Sequence, residues 1–181
     1  MKTIAVVLLA MVAVPVAAAE VVNVEVTHED GEYHVTIDAM LDAPPDAVFA
    51  VLIDYPRWAE VNDLIKESVV LAGADPSRQL VRTVAEGCVL GFCKRFEQVQ
   101  WMRASEDRRI RADVVPHMSD LRSGWADTKL TASGNSTLFQ YEMMLEPDFW
   151  IPPLIGPMMI KRKLRKQAIE TAEAVEVAAR L

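Results

Sequence analysis

Ile160-Lys161-Arg162-Lys163-Leu164-Arg165-Lys166-Gln167-Ala168-Ile169-Glu170-Thr171-Ala172-Glu173-Ala174-Val175-Glu176-Val177-Ala178-Ala179 decides the fold. Ile160, Leu164, Ala168, Ala172, Val175 and Ala179 recur every three or four residues, which gathers them into one apolar stripe along a single long helix. Such a stripe needs a surface to cover. Just upstream, Phe139, Tyr141, Met143 and Leu145 alternate with Gln140, Glu142 and Glu146, the period of a strand with one greasy face. The C-terminal helix is therefore expected to lie on a sheet.

Working back from that strand, short extended segments at 65–71, 79–88, 92–103, 109–115, 125–131 and 137–145 are separated by turn residues such as Ser105-Glu106-Asp107 and Ser133-Gly134-Asn135-Ser136. They predict an antiparallel meander. Two further strands, 21–26 and 33–41, flank an Asp30-Gly31 hairpin signal. Pro44-Pro45 suits a helix start, and Val48, Phe49, Val51, Leu52 and Tyr55 continue at helical spacing until Pro56 ends the helix. A second short helical turn carries Trp58. The class is α+β.

At the N-terminus, Lys2 precedes an apolar run, 4–16, and Ala17-Ala18-Ala19 offers a cleavage site for a signal peptidase. The run is shorter than the roughly 18 or more residues a membrane span needs. The expectation is a signal peptide over 1–19 and one soluble, exported domain over 20–181. Removing Lys2 takes the formal charge from −7 to −8, which argues against nucleic acid as a partner. Cys88 and Cys93 are placed to bridge a hairpin in an oxidising compartment. Two thiolates without a nearby histidine fall short of a zinc set, so no metal is expected.

The segment 146–159 holds Pro147, Pro152, Pro153, Pro157 and Gly156, yet also Phe149, Trp150, Ile151, Leu154, Ile155, Met158 and Met159. A connection so apolar either packs into the core, gates a cavity, or touches a membrane or partner. Lys161, Arg162, Lys163, Arg165 and Lys166 follow in the first turns of the helix, where its dipole favours anions; Glu170, Glu173 and Glu176 sit at the opposite end. An apolar, Trp-bearing loop beside a basic cluster suits an anionic membrane surface. A solvated helix face, or pairing with acids of the sheet, is the alternative.

The stretch 44–58, containing Asp54-Tyr55-Pro56-Arg57-Trp58, then Ser123-Gly124-Trp125, then 141–147 ending in Glu146-Pro147, resembles the START-like superfamily. Within it, the resemblance is to the polyketide cyclase/dehydrase and lipid-transport group that includes coenzyme Q-binding START-domain proteins. It covers nearly all of 20–181. It implies a helix-grip fold, in which a curved antiparallel sheet wraps the long C-terminal helix, two short helices lie near the N-terminus, and an apolar cavity is left between sheet and helix. The resemblance also implies a lipid, sterol, quinone or polyketide as occupant. The leader and the Cys88/Cys93 pair are departures from the family's pattern.

These lines converge on a carrier of a hydrophobic small molecule or lipid, with no cofactor implied. Candidate ligand contacts are Tyr55, Trp58, Phe139, Tyr141, Met143, Trp150, Ile155, Met159 and Leu164; candidate membrane contacts are Phe149, Trp150, Lys161, Arg162, Lys163, Arg165 and Lys166. Trp101 and Trp125 have no clear facing. No nucleophile elbow, zinc helix or phosphate loop is present, and the three histidines are scattered, with His117 and Asp120 as an acid/base candidate near Pro116. Two rival readings stay open: a cyclase or dehydratase whose Arg82, Glu97 or Asp127 face inward, and an envelope interaction module using 149–159.

Overall fold

The computed structural model describes residues 19–72, 77–89, 92–151 and 156–181. Residues 1–18 of the expected leader and Ile155 lie outside the described residues.

Strands β1 (Glu20–Glu29) and β2 (Glu32–Leu41) are joined through Asp30 and Gly31, at φ 50° and 93°. Both values are positive, the tight-hairpin geometry that Asp-Gly adopts most readily. Helix α1 (Pro45–Ile53) starts with proline in its first turn, and a 3₁₀ turn (Tyr55–Arg57) leads into the short α2 (Trp58–Val61). Then come β3 (Ile65–Ala72), β4 (Arg78–Val89), β5 (Phe92–Ala104), β6 (Arg109–Val114), a 3₁₀ turn (Pro116–Met118), β7 (Leu121–Ser133) and β8 (Ser136–Pro147). The chain ends in α3 (Gly156–Ala179), about 36 Å long at 1.5 Å per residue.

The eight strands form one curved antiparallel sheet in the order β1-β2-β8-β7-β6-β5-β4-β3. β8 returns to pair with β2, placing Tyr141 opposite Ile37. Strand β7 starts at Leu121, four residues before the expected 125. Gly124 is inside the strand, where the sheet is crowded. A Cβ on Gly124 would stand 2.9 Å from Val114 Cγ2 and 3.2 Å from the Met144 carbonyl oxygen.

The core gathers at the end of the sheet where β2 finishes and α3 terminates. Leu41, Val48 and Val175 are fully buried beside Ala39, Ala172 and Phe139. Each such aliphatic side chain contributes on the order of 1.5–3 kcal/mol. A second cluster of Tyr55, Val81, Met102, Ile110 and Ala112 lies under the α1–α2 connection. Thus Tyr55 belongs to core packing.

The charge order of α3 also has a structural reason at its C-terminal end. Glu176 is 1% exposed; its carboxylate accepts the Asp42 backbone N–H at 2.7 Å and pairs with Arg180 at 2.7 Å. Arg180 in turn donates to the Asp42 carbonyl at 2.9 Å and pairs with its carboxylate at 3.0 Å. The unfavourable dipole position is outweighed by two direct partners. Cys88 and Cys93 face each other across β4 and β5 and are joined by a disulfide.

Candidate functional site

α3 packs on β1, β2 and α1, and Ala172 and Val175 in its C-terminal half are seated in the core. Between the sheet and the stretch of α3 from Leu164 to Val175 is a cavity of about 270 Å³, just below the ~300–1,000 Å³ usual for small-molecule sites. β8 contributes Phe139, Tyr141, Met143 and Leu145, α3 contributes Leu164 and Ala168, and Trp58 and Leu64 approach from the α2 side. Phe139 and Tyr141 stack with ring centres 6.2 Å apart and planes 8° from parallel. Trp58 is held by its indole N–H donating to the Leu52 carbonyl at 3.0 Å and by edge contact with Tyr55.

A wider groove of about 620 Å³ lies between α1, α2 and the end of α3, but Asp54, Arg57, Glu60, Glu170 and Glu173 surround it. The cavity under α3 is different in kind. Among the described residues no Asp, Glu, Lys, Arg or His lines it. Its polar groups are neutral: Thr83, Gln98, Gln100 and Thr128 from the sheet, Asn62 beyond α2, and Gln167 and Thr171 from α3. The Gln98 amide donates to Gln100 Oε1 at 2.6 Å. Tyr141 donates to Met143 Sδ at 3.1 Å, and burial pushes its phenol up to about 12.

The ionisable residues proposed for an enzyme do not face this space. Arg82 pairs with Glu97 at 2.7 Å and with Glu67 at 3.3 Å, and Asp127 pairs with Arg109 at 3.0 Å, on the opposite face of the sheet. The reason is the strand period: Thr83, Gln98 and Thr128 point in, so their neighbours Arg82, Glu97 and Asp127 point out. The guanidinium of Arg82 holds the Glu97 carboxyl below its ordinary value. Trp101 lies under the Arg78 guanidinium at 4.7 Å; Trp125 carries Arg111 at 4.6 Å and is itself among the residues that line the cavity. Asp120 accepts the Glu97 backbone N–H at 2.8 Å, so its carboxylate is already committed to the sheet rather than to His117.

Of the predicted ligand contacts, the structure brings Trp58, Phe139, Tyr141, Met143 and Leu164 together on the cavity wall. Tyr55 stands behind Trp58 in the core. Met159 is half-buried in the first turn of α3 and is not a lining residue. Trp150 is 80% exposed, and Phe149 packs on Phe96 with ring centres 6.0 Å apart, Lys94 lying 5.0 Å over its face. Phe96 lines the cavity, so the chain leaving β8 crosses the end of the space that the core leaves open. Sequence reasoning missed Gln167 and Thr171. Their signal was their spacing from Leu164, three and seven residues on, within the covered face of the helix.

Among the described residues, Lys161, Arg162, Lys163 and Arg165 have no carboxylate within ion-pair distance, and only Lys166 pairs, with Glu170 at 3.3 Å. The acids of the sheet do not neutralise this run. No described helix is long and apolar enough to cross a membrane.

Residues 32–176 match the family described as polyketide cyclase/dehydrase and lipid transport. No curated protein matches the chain in sequence. Among solved structures, the Zhui aromatase/cyclase from a Streptomyces species superposes with a TM-score of 0.69 at 16% identity, covering 82% of this chain and 94% of that one. A START superfamily protein from Mycobacterium smegmatis gives 0.65 at 19% identity, covering 81% and 97%. A STAR-related lipid transfer protein from Xanthomonas axonopodis gives 0.62 at 16%, covering 87% and 99%. At these identities the likeness is one of fold.

Proposed function

The chain belongs to the polyketide cyclase/dehydrase and lipid transport family, and from that premise we propose that it is an exported carrier that shelters a lipid, quinone or other hydrophobic molecule beneath α3. The observation that carries this reading is the cavity lining, which is predominantly apolar and, among the described residues, free of charged side chains. Moving an apolar molecule into it gains about 0.8 kcal/mol per buried methylene. The same lining supports carriage over catalysis, since Arg82, Glu97 and Asp127 are turned away from the occupant. Export is supported by the leader-like N-terminus and by the Cys88–Cys93 disulfide.

Loading is proposed to take place on an anionic membrane surface. Trp150 and Met158, 80% and 66% exposed, flank the start of α3, and the unpaired Lys161, Arg162, Lys163 and Arg165 follow. In this reading Phe149, Trp150 and Met159 form the entrance, Trp58, Phe139, Tyr141, Met143 and Leu164 hold the ligand, and Tyr55 supports Trp58 from behind. The test is native mass spectrometry and lipid extraction of protein purified from its own envelope. A co-purifying apolar molecule is expected; repeated recovery of empty protein, together with no binding to anionic vesicles, would refute the carrier.

A further inference from the structure

The helix wall of the cavity contains two polar atoms with nothing to bond to. Gln167 is 6% exposed and its Oε1 has no hydrogen-bond partner, and Thr171 Oγ1 is likewise buried and unpartnered. Native interiors nearly always satisfy such atoms. Four residues apart on α3, the two side chains share one helix face, and both line the cavity opposite Thr83, Gln100 and Thr128 of the sheet. An apolar occupant alone would leave them stranded. An ionised occupant meets a second obstacle: a carboxylate or phosphate inside would find no described cation on the wall, and burying an unpaired charge is far costlier than burying a neutral polar group.

We propose that Gln167 and Thr171 are specificity-determining residues that select a neutral, hydroxyl-bearing apolar ligand and reject acidic lipids. A hydroxyl is both donor and acceptor. It can donate to Gln167 Oε1 while accepting from the Thr171 hydroxyl, which neither a hydrocarbon nor a carboxylate does. The inference rests on the carrier reading and narrows its ligand class.

The test is calorimetric titration of the lipid-stripped full chain with naphthol, methylnaphthalene and naphthoate, substituted at the same ring position. Naphthol is expected to bind about five- to tenfold more tightly than methylnaphthalene, the yield of one satisfied buried hydrogen bond. Naphthoate is expected to bind at least tenfold more weakly than naphthol. Gln167→Leu with Thr171→Val should bring naphthol down to the affinity of methylnaphthalene while leaving methylnaphthalene binding intact. Thr171→Ser should keep the preference, which separates recognition from a packing defect.

Equal binding of naphthol and methylnaphthalene by the wild type would overturn the inference and leave the carrier standing. So would a preference that survives the double substitution. If none of the three probes binds to protein whose unfolding transition is intact, the carrier reading fails and the inference falls with it.

Discussion

The carboxylate of Glu176 accepts the backbone N–H of Asp42 at 2.7 Å across 134 positions of sequence. This bond pins the end of α3 to the chain leaving β2, and Arg180 closes the arrangement from the other side. Glu176→Ala would remove the carboxylate partner of the Asp42 N–H and leave Arg180 with one carboxylate instead of two. A loss of about 2–3 kcal/mol is expected in urea unfolding. A loss under about 0.5 kcal/mol, the level of an ordinary surface substitution, would show that the bond does not hold the helix.

Gly124 supplies a steric prediction. Gly124→Ala drives a methyl group toward Val114 Cγ2 and the Met144 carbonyl oxygen, and overpacking of this kind costs about 1–3 kcal/mol. Val114→Ala in the same chain should recover part of the loss, because the side-chain clash is relieved while the carbonyl stays. If the double variant is no more stable than Gly124→Ala, the crowding has been misassigned.

All three tyrosines, Tyr33, Tyr55 and Tyr141, have phenols raised by burial, the last two to about 12. A folded pKa above the unfolded value near 10 means that the neutral form is favoured in the native state. Their contribution to stability is complete below about pH 10 and is lost as pH rises from there through about 12. Tyrosinate absorbance should therefore lag behind that of free tyrosine near pH 10 and rise together with unfolding. Ionisation of a tyrosine at its ordinary pKa in folded protein would contradict the enclosed position of that ring.

The basic run predicts a salt-sensitive membrane interaction. Each of Lys161, Arg162, Lys163 and Arg165 should contribute on the order of 1 kcal/mol near an anionic surface, or about fivefold in binding. Replacing all four by glutamine should abolish sedimentation with anionic vesicles at ordinary salt and leave the urea midpoint almost unchanged. Undiminished sedimentation would move the docking surface elsewhere.

The disulfide closes a short hairpin loop. Replacing Cys88 and Cys93 by serine should cost about 2 kcal/mol, the chain-entropy value for so small a loop. The loss is expected in the unfolding midpoint, with the preference for naphthol over methylnaphthalene unchanged. A changed ligand preference would mean that the hairpin reaches further into the cavity than Phe96 does.

Much of this architecture is legible one residue at a time. The Asp-Gly hairpin, the helix after Pro44, the strand alternation through Phe139, Tyr141 and Met143, and the stripe through Leu164 and Val175 each depend on local preference or local periodicity. Those signals survive in an isolated sequence. Strand parity was also present, but its sign was not: nothing local says whether Arg82 or Thr83 points inward, because that depends on which face of β4 meets α3. The long strand β5 illustrates the difficulty, since its inward residues Gln98 and Gln100 are polar while Trp101, on the other face, is aromatic.

By itself, then, the sequence determined the order of the elements, the greasy face of β8, the covered stripe of α3 and the basic start of that helix. Only the tertiary structure decided that Glu176 is a buried strut, that Tyr55 is core while Trp58 is wall, and that Gln167 and Thr171 stand unpartnered across from a polar patch of the sheet. The physical reason is range. Helix and strand periods are set by neighbours a few bonds away, whereas the partner of a buried polar group is set by whichever distant segment the fold brings within 3 Å of it.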